Sequence, residues 1–195
     1  CHSGLNRSNP ICGVQLPHVE RDIPRPYSTD EQRCLLAALQ GTDLHLPVLL
    51  ALLYGLRRGE VCGLCWDDID WENKLLYVRH NSMLVHDEAG RGRVVCSDKL
   101  KTQSSYRSFP LHPQVEQLLR AKQPHRLSGP VFEGRYGGPL SPSSKFRRFL
   151  KDNHLRHIRF HDLRHTCATS LAQRGCDTTD IQPIWAFQSR HYVTL

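Results

Sequence analysis

The chain has 195 residues, 39% of them hydrophobic, enough for one packed domain and short for two. Its formal charge of +7, a pI near 9.1 and 12 further histidines favour a polyanionic partner, nucleic acid before anionic membrane. No apolar run approaches the roughly 20 residues of a bilayer span and no signal peptide is recognised, so a soluble cytoplasmic protein with no membrane partner is expected.

Residues 1–26 are rich in Pro, Asn, Ser and Arg without a period, which reads as a linker or strap ahead of a domain spanning 27–195. Cys1 heads the chain and Met83 is its only methionine, so further residues are expected in front. Ser28-Thr29-Asp30-Glu31 is a capping box opening a helix to about Leu39. His45 to Leu56 is strongly apolar and breaks at Gly55, and a short helix carrying Glu60, Val61 and Leu64 follows. From Lys74 to Leu111 the pattern alternates. LLYVRHNSMLV, RGRVVCSDKLK and SYRSFPL predict three antiparallel strands with turns at 87–92 and 101–105.

Beyond them, His112–Gln123 carries Val115, Leu118 and Leu119 on one face. Ser141-Pro142 opens a helix with Phe146, Phe149 and Leu150 inward and Lys145, Arg147, Arg148 and Lys151 outward. A helix from Phe160 to Arg174 stops at Gly175, and a last short helix begins near Thr179. The fold class is α+β, mainly helical, with one small three-stranded antiparallel sheet.

Several clusters could do chemistry. Between residues 145 and 165 there are seven Lys or Arg against two acids, dense enough to follow a phosphate backbone. His161 and Arg164 stand three apart on a helix and share a face. Arg57 follows an apolar helix, where a buried guanidinium needs an anion, and Glu60 at i+3 is the nearest candidate for a buried pair. Lys101 sits at a basic hairpin tip. Cys62 and Cys65 form a C-x-x-C without a second pair at finger-like spacing, and they read as core rather than as zinc ligands; no metal and no cofactor are expected. A zinc protein built on Cys62, Cys65 and nearby histidines would need stoichiometric metal.

Gly55-Leu56-Arg57-Arg58-Gly59-Glu60, then Trp66-Asp67-Asp68-Ile69-Asp70, then Lys101-Thr102 ahead of Arg107-Ser108-Phe109-Pro110-Leu111, then His161-Asp162-Leu163-Arg164-His165-Thr166 follow in this order. The series resembles the tyrosine recombinase (phage integrase) family, especially integrases of mobile elements of low-GC Gram-positive bacteria, from about residue 22 to about 182. The resemblance implies site-specific cleavage and rejoining of double-stranded DNA through a phosphotyrosine, without metal. It also implies a bacterial or mobile-element origin and partner protomers forming a tetrameric synapse on DNA. Residues 1–26 would then be the strap from an N-terminal core-binding domain.

Carried over by position, the catalytic set is Arg57, Lys101, His161 and Arg164, with Glu60 supporting Arg57. Lys99, Arg107, Lys145, Arg147, Arg148 and Arg159 are expected to bind DNA. The family's Gly-His pair, roughly 23 residues after the H-x-x-R arginine, is replaced by Ala186-Phe187. The nucleophilic tyrosine would fall beyond Leu195, and Tyr192 is out of register. Dropping one base from codons for Trp185 onward permits Gly-His-Ser-Ser, so a frameshift or truncation near 183–195 is expected. The alternative is a non-catalytic DNA-binding remnant of the same fold.

Overall fold

The computed structural model describes residues 25–86, 92–97, 107–122, 128–132 and 142–176. Helix α1 is Thr29–Leu39. The amide of Glu31 donates to Ser28 Oγ at 3.2 Å and the amide of Ser28 to Glu31 Oε2 at 2.7 Å, a reciprocal cap that fixes where the helix begins. Leu35 and Leu39 face inward. Helix α2, His45–Tyr54, is apolar on nearly every side and therefore lies at the centre, packed against α1 and three of the helices that follow. It stops because Gly55 turns left-handed at φ +60°.

Helix α3, Arg58–Gly63, leads through a 3-10 turn at Trp66–Asp68 into strand β1, Ile69–Asp70. Strands β2 (Leu75–Val78), β3 (Asn81–His86), β4 (Gly92–Ser97) and β5 (Arg107–Pro110) follow. Helices α4 (Pro113–Lys122), α5 (Pro142–Asp152) and α6 (Asp162–Gln173) complete the described elements. Tyr54 Oη accepts from the amide of His112 at 2.8 Å and donates to the carbonyl of Pro110 at 3.0 Å, tying α2 to the end of β5. The segment near Thr179 lies outside the described residues.

The fold is mainly helical with a small three-stranded antiparallel sheet, but its strands differ from those expected. The sheet runs β1-β2-β5, and β3 and β4 form a separate two-stranded ribbon. The predicted first strand breaks at Arg79-His80 because both side chains turn to one buried carboxylate. Arg79 Nε donates to Asp68 Oδ1 at 3.0 Å, and His80 Nδ1 lies 2.7 Å from Asp68 Oδ2. That detour redirects β3 across α3.

The crossing is close enough to demand glycine. A Cβ on Gly63 would lie 2.9 Å from the amide nitrogen of Ser82 and 3.1 Å from the backbone of Asn81. Glycine inside a helix normally costs stability relative to alanine, roughly 0.5–1 kcal/mol. Here the sign inverts: Gly63→Ala is expected to destabilise the domain by about 1–3 kcal/mol in urea unfolding, because β3 must shift. An unchanged or raised midpoint would show that the two elements are not in contact.

Candidate active site

The reverse turn at Gly55 delivers Arg57 to the start of α3, and Glu60 reaches back to it from one turn later. The amide of Arg57 donates to Glu60 Oε2 at 2.7 Å, and Arg57 Nη1 to Oε1 at 2.9 Å. From β5, Arg107 Nη2 donates to Oε2 at 2.7 Å and Nη1 to Oε1 at 3.2 Å. The Glu60 side chain is 3% exposed, Arg107 12% and Arg57 33%. Burial pushes the Glu60 carboxyl up, but the hydrogen bonds and charge of Arg107, followed by those of Arg57, outweigh it and hold the group below the ordinary carboxylate range.

Arg164, from the first turn of α6, is buried beside them and donates to the carbonyl of Gly55. Burial first, then the charge of Arg57, lowers its pKa to about 10, so it stays charged at neutral pH. Three guanidinium groups thus surround one carboxylate. The cluster carries an excess of positive charge that a phosphodiester would partly offset.

His161 sits at the start of α6, on the rim of a cleft of about 1160 Å³ that Arg57, Asn81, Ser144, Arg147 and Arg159 also line. Its ring meets that of His165 edge-on, with centroids 5.6 Å apart. Desolvation by the cleft walls, then the charges of His165 and Arg164, lower the His161 pKa. The imidazole is therefore neutral at pH 7 and able to accept a proton.

The basic residues expected to meet DNA divide. Lys145, Arg147 and Arg148 are exposed on α5, whose buried face is Phe146 and Leu150. Arg148 lies 3.5 Å from Asp152. Arg159 is largely exposed and pairs with Asp162 at 2.8 Å. Arg107, also expected among the DNA-binding side chains, is turned inward: β5 alternates, so Arg107 and Phe109 are half-buried while Ser108 and Pro110 are exposed, and its guanidinium is engaged by Glu60. Lys99, Lys101, Tyr192 and Leu195 lie outside the described residues. The pattern in Arg107-Ser108-Phe109-Pro110 carried the missed signal, because an arginine in phase with an inward aromatic belongs on the inner face.

The C-x-x-C separates. Cys62 is buried, whereas Cys65 approaches Asp68 and His80, their ligand-type atoms all within 4.8 Å of one another. At its centre, Asp68 already accepts from the amide of Cys65 at 2.9 Å and from Arg79. The guanidinium of Arg79 opposes a dication there, and the group is accounted for as the knot that starts β1.

The phage integrase family matches residues 27–194, spanning the site and nearly the whole chain. The chain belongs to that family. A XerC-like tyrosine recombinase of Caldanaerobacter subterraneus is 30% identical over 186 residues, covering 85% of this chain and 47% of its own length. XerC of Xylella fastidiosa is 30% identical over 187 residues, covering 90% of this chain and 56% of its own length. The chain therefore spans about half the length of the curated relatives it matches. Among solved structures, the Tn1549 transposon integrase bound to a circular intermediate DNA superposes with TM-score 0.72 at 23% identity, covering 93% of this chain and 64% of that one. XerA recombinase superposes with TM-score 0.61 at 20% identity, covering 87% and 57%. These likenesses show a fold shared with integrases and recombinases.

The electrostatics of the site predict its titration. An NMR pH titration should give His161 a midpoint below the ordinary histidine value of 6.5, and His165→Gln should raise it by removing a like charge. A midpoint at or above the ordinary value would mean that the ring is not desolvated beside those cations.

Proposed function

We propose that this chain is the catalytic domain of a site-specific tyrosine recombinase, breaking and rejoining duplex DNA. The observation that carries the reading is the arginine cluster around Glu60, which reaches through Arg57 a cleft with His161 on its rim and the basic face of α5 beside it. In this reading Arg57 and Arg164 grip the non-bridging oxygens of one phosphodiester and stabilise the charge of its pentavalent transition state. A tyrosine oxygen attacks phosphorus and passes its proton to His161. The bond from phosphorus to the 5′-oxygen breaks, and Lys101 protonates the departing oxygen. The phosphotyrosine conserves the bond energy for rejoining. Duplex DNA and further protomers of the same kind, assembled as a tetrameric synapse, are the partners. Bacterial relatives and the DNA substrate point to the cytoplasm. No helix among the described residues is long and apolar enough to cross a membrane.

The test begins with binding. Affinity of the chain for duplex DNA should fall steeply with salt, and Lys145→Ala should reduce the slope of log affinity against log salt by about one. In a chain carrying a nucleophilic tyrosine, Arg57→Ala and Arg164→Ala should each slow formation of the covalent DNA adduct about 10²–10³-fold, with Lys145→Ala affecting mainly affinity. Cleavage should be indifferent to EDTA. Salt-insensitive binding, or equal small losses for all three variants, would remove the assignment.

A further inference from the structure

Arg107 is a strongly basic side chain to which the reaction scheme above gives no role. It opens β5, opposite Val78 of β2, and its guanidinium lies 5.6 Å from the centre of the Phe109 ring. It is almost wholly turned away from solvent and is not among the residues lining the cleft. What it reaches is Glu60, and it does so with two nitrogens, one to each carboxylate oxygen.

We propose that Arg107 is a positioning residue: from β5 it fixes the carboxylate of Glu60, and through that carboxylate it holds Arg57 in the orientation that presents its remaining donors to the cleft. Each oxygen of Glu60 is shared. Oε1 takes Arg57 Nη1 and Arg107 Nη1, and Oε2 takes the Arg57 amide and Arg107 Nη2. A carboxylate held by one residue next to it in a short helix keeps freedom to rotate. A planar fork from a separate strand removes that freedom, and lysine, a single point donor, does so less well. Arg57 can then leave most of its donors for the substrate, since only one of its side-chain nitrogens donates to Glu60. Arg107 also has the larger share in keeping Glu60 ionised against burial, ahead of Arg57. Without it, the dry surroundings favour the neutral acid, and a neutral acid gives up its charge-assisted hold on Arg57.

The inference rests on the recombinase reading for what Arg57 is aimed at, so the test separates the two. In the isotopically labelled chain, the Glu60 carboxyl carbon and the Arg57 side-chain N–H are followed by NMR, over pH and on adding a short duplex DNA. Wild-type Glu60 should titrate below the ordinary carboxylate value of 4.5. Arg107→Gln should raise that midpoint and weaken the DNA response of Arg57 roughly tenfold. Arg107→Lys should return the midpoint towards wild type while leaving the Arg57 response weakened. If Arg107 only braces β5, its removal lowers the melting temperature and leaves both signals where they were, which overturns the proposal. Should Arg107→Gln fail to fold, Arg107→Lys decides, because an Arg57 response equal to wild type in that variant also overturns it. DNA that leaves the wild-type Arg57 signal unmoved would instead strike the recombinase reading, with the Glu60 midpoint still judging Arg107.

Discussion

The site is organised around one buried carboxylate. Glu60 is nearly inaccessible to water, and a charge in that position persists only if opposite charges and hydrogen bonds replace its hydration. Arg57 and Arg107 do so from two different elements, which couples the start of α3 to strand β5. Arg164 is drawn into the same region by the carbonyl of Gly55, left open where α2 ends. The position of each arginine therefore depends on an element boundary, and the boundaries depend on glycines and caps rather than on the arginines themselves. Moving Glu60 would release Arg57 and Arg107 together.

The rest of the fold serves to keep those boundaries still. Helix α2 is buried almost along its full length, so the turn at Gly55 has a fixed origin. Asp68 acts in a similar way further out: by holding Arg79 and His80 it ends β2 and sends β3 across α3, over Gly59 and Gly63. At the other edge, Arg156 holds the chain entering the domain. It bridges Glu31 through two nitrogens, stacks over Tyr27 at 4.6 Å and donates to the carbonyls of Arg25 and Pro26. The amide of Tyr27 in turn donates to Thr166 Oγ1, two residues past Arg164. The segment leading into α1 and helix α6 are thus joined directly, with no loop between them to absorb a displacement.

What can be read from the residues alone follows the range of the interactions involved. The capping box at Ser28 and Glu31, the stop at Gly55 and the pairing of Arg57 with Glu60 are contacts within one turn of chain, and the residues announce them. The inward face of α5 is equally legible, since Phe146 and Leu150 recur at helical spacing. The strands are harder. Nothing near Arg79 or His80 tells that Asp68, eleven and twelve residues earlier, will pull both out of the sheet. Arg107 reads as a DNA contact because basic residues on a basic chain default to the surface. Its partner lies 47 positions away, and only the strand's alternation hints that it turns inward.

The separation between a dry cluster and a wet basic face has a chemical reason. Charges on α5 stand in water and are screened by salt, so in the proposed reaction they would gather and orient a polyanion without distinguishing one phosphate from the next. The arginines around Glu60 lie where water is largely displaced, so the same charge acts more strongly and with fixed direction. Arginine suits that place because its guanidinium remains protonated even when burial and neighbouring cations lower its pKa, as they do for Arg164. A lysine there would be the first group to surrender its proton. Histidine responds oppositely to the same surroundings: desolvation first, and then the neighbouring cations, disfavour an imidazolium and leave His161 neutral. The same dry, cationic surroundings therefore supply both requirements of the proposed reaction, fixed positive charge for the phosphate and an unprotonated base beside it.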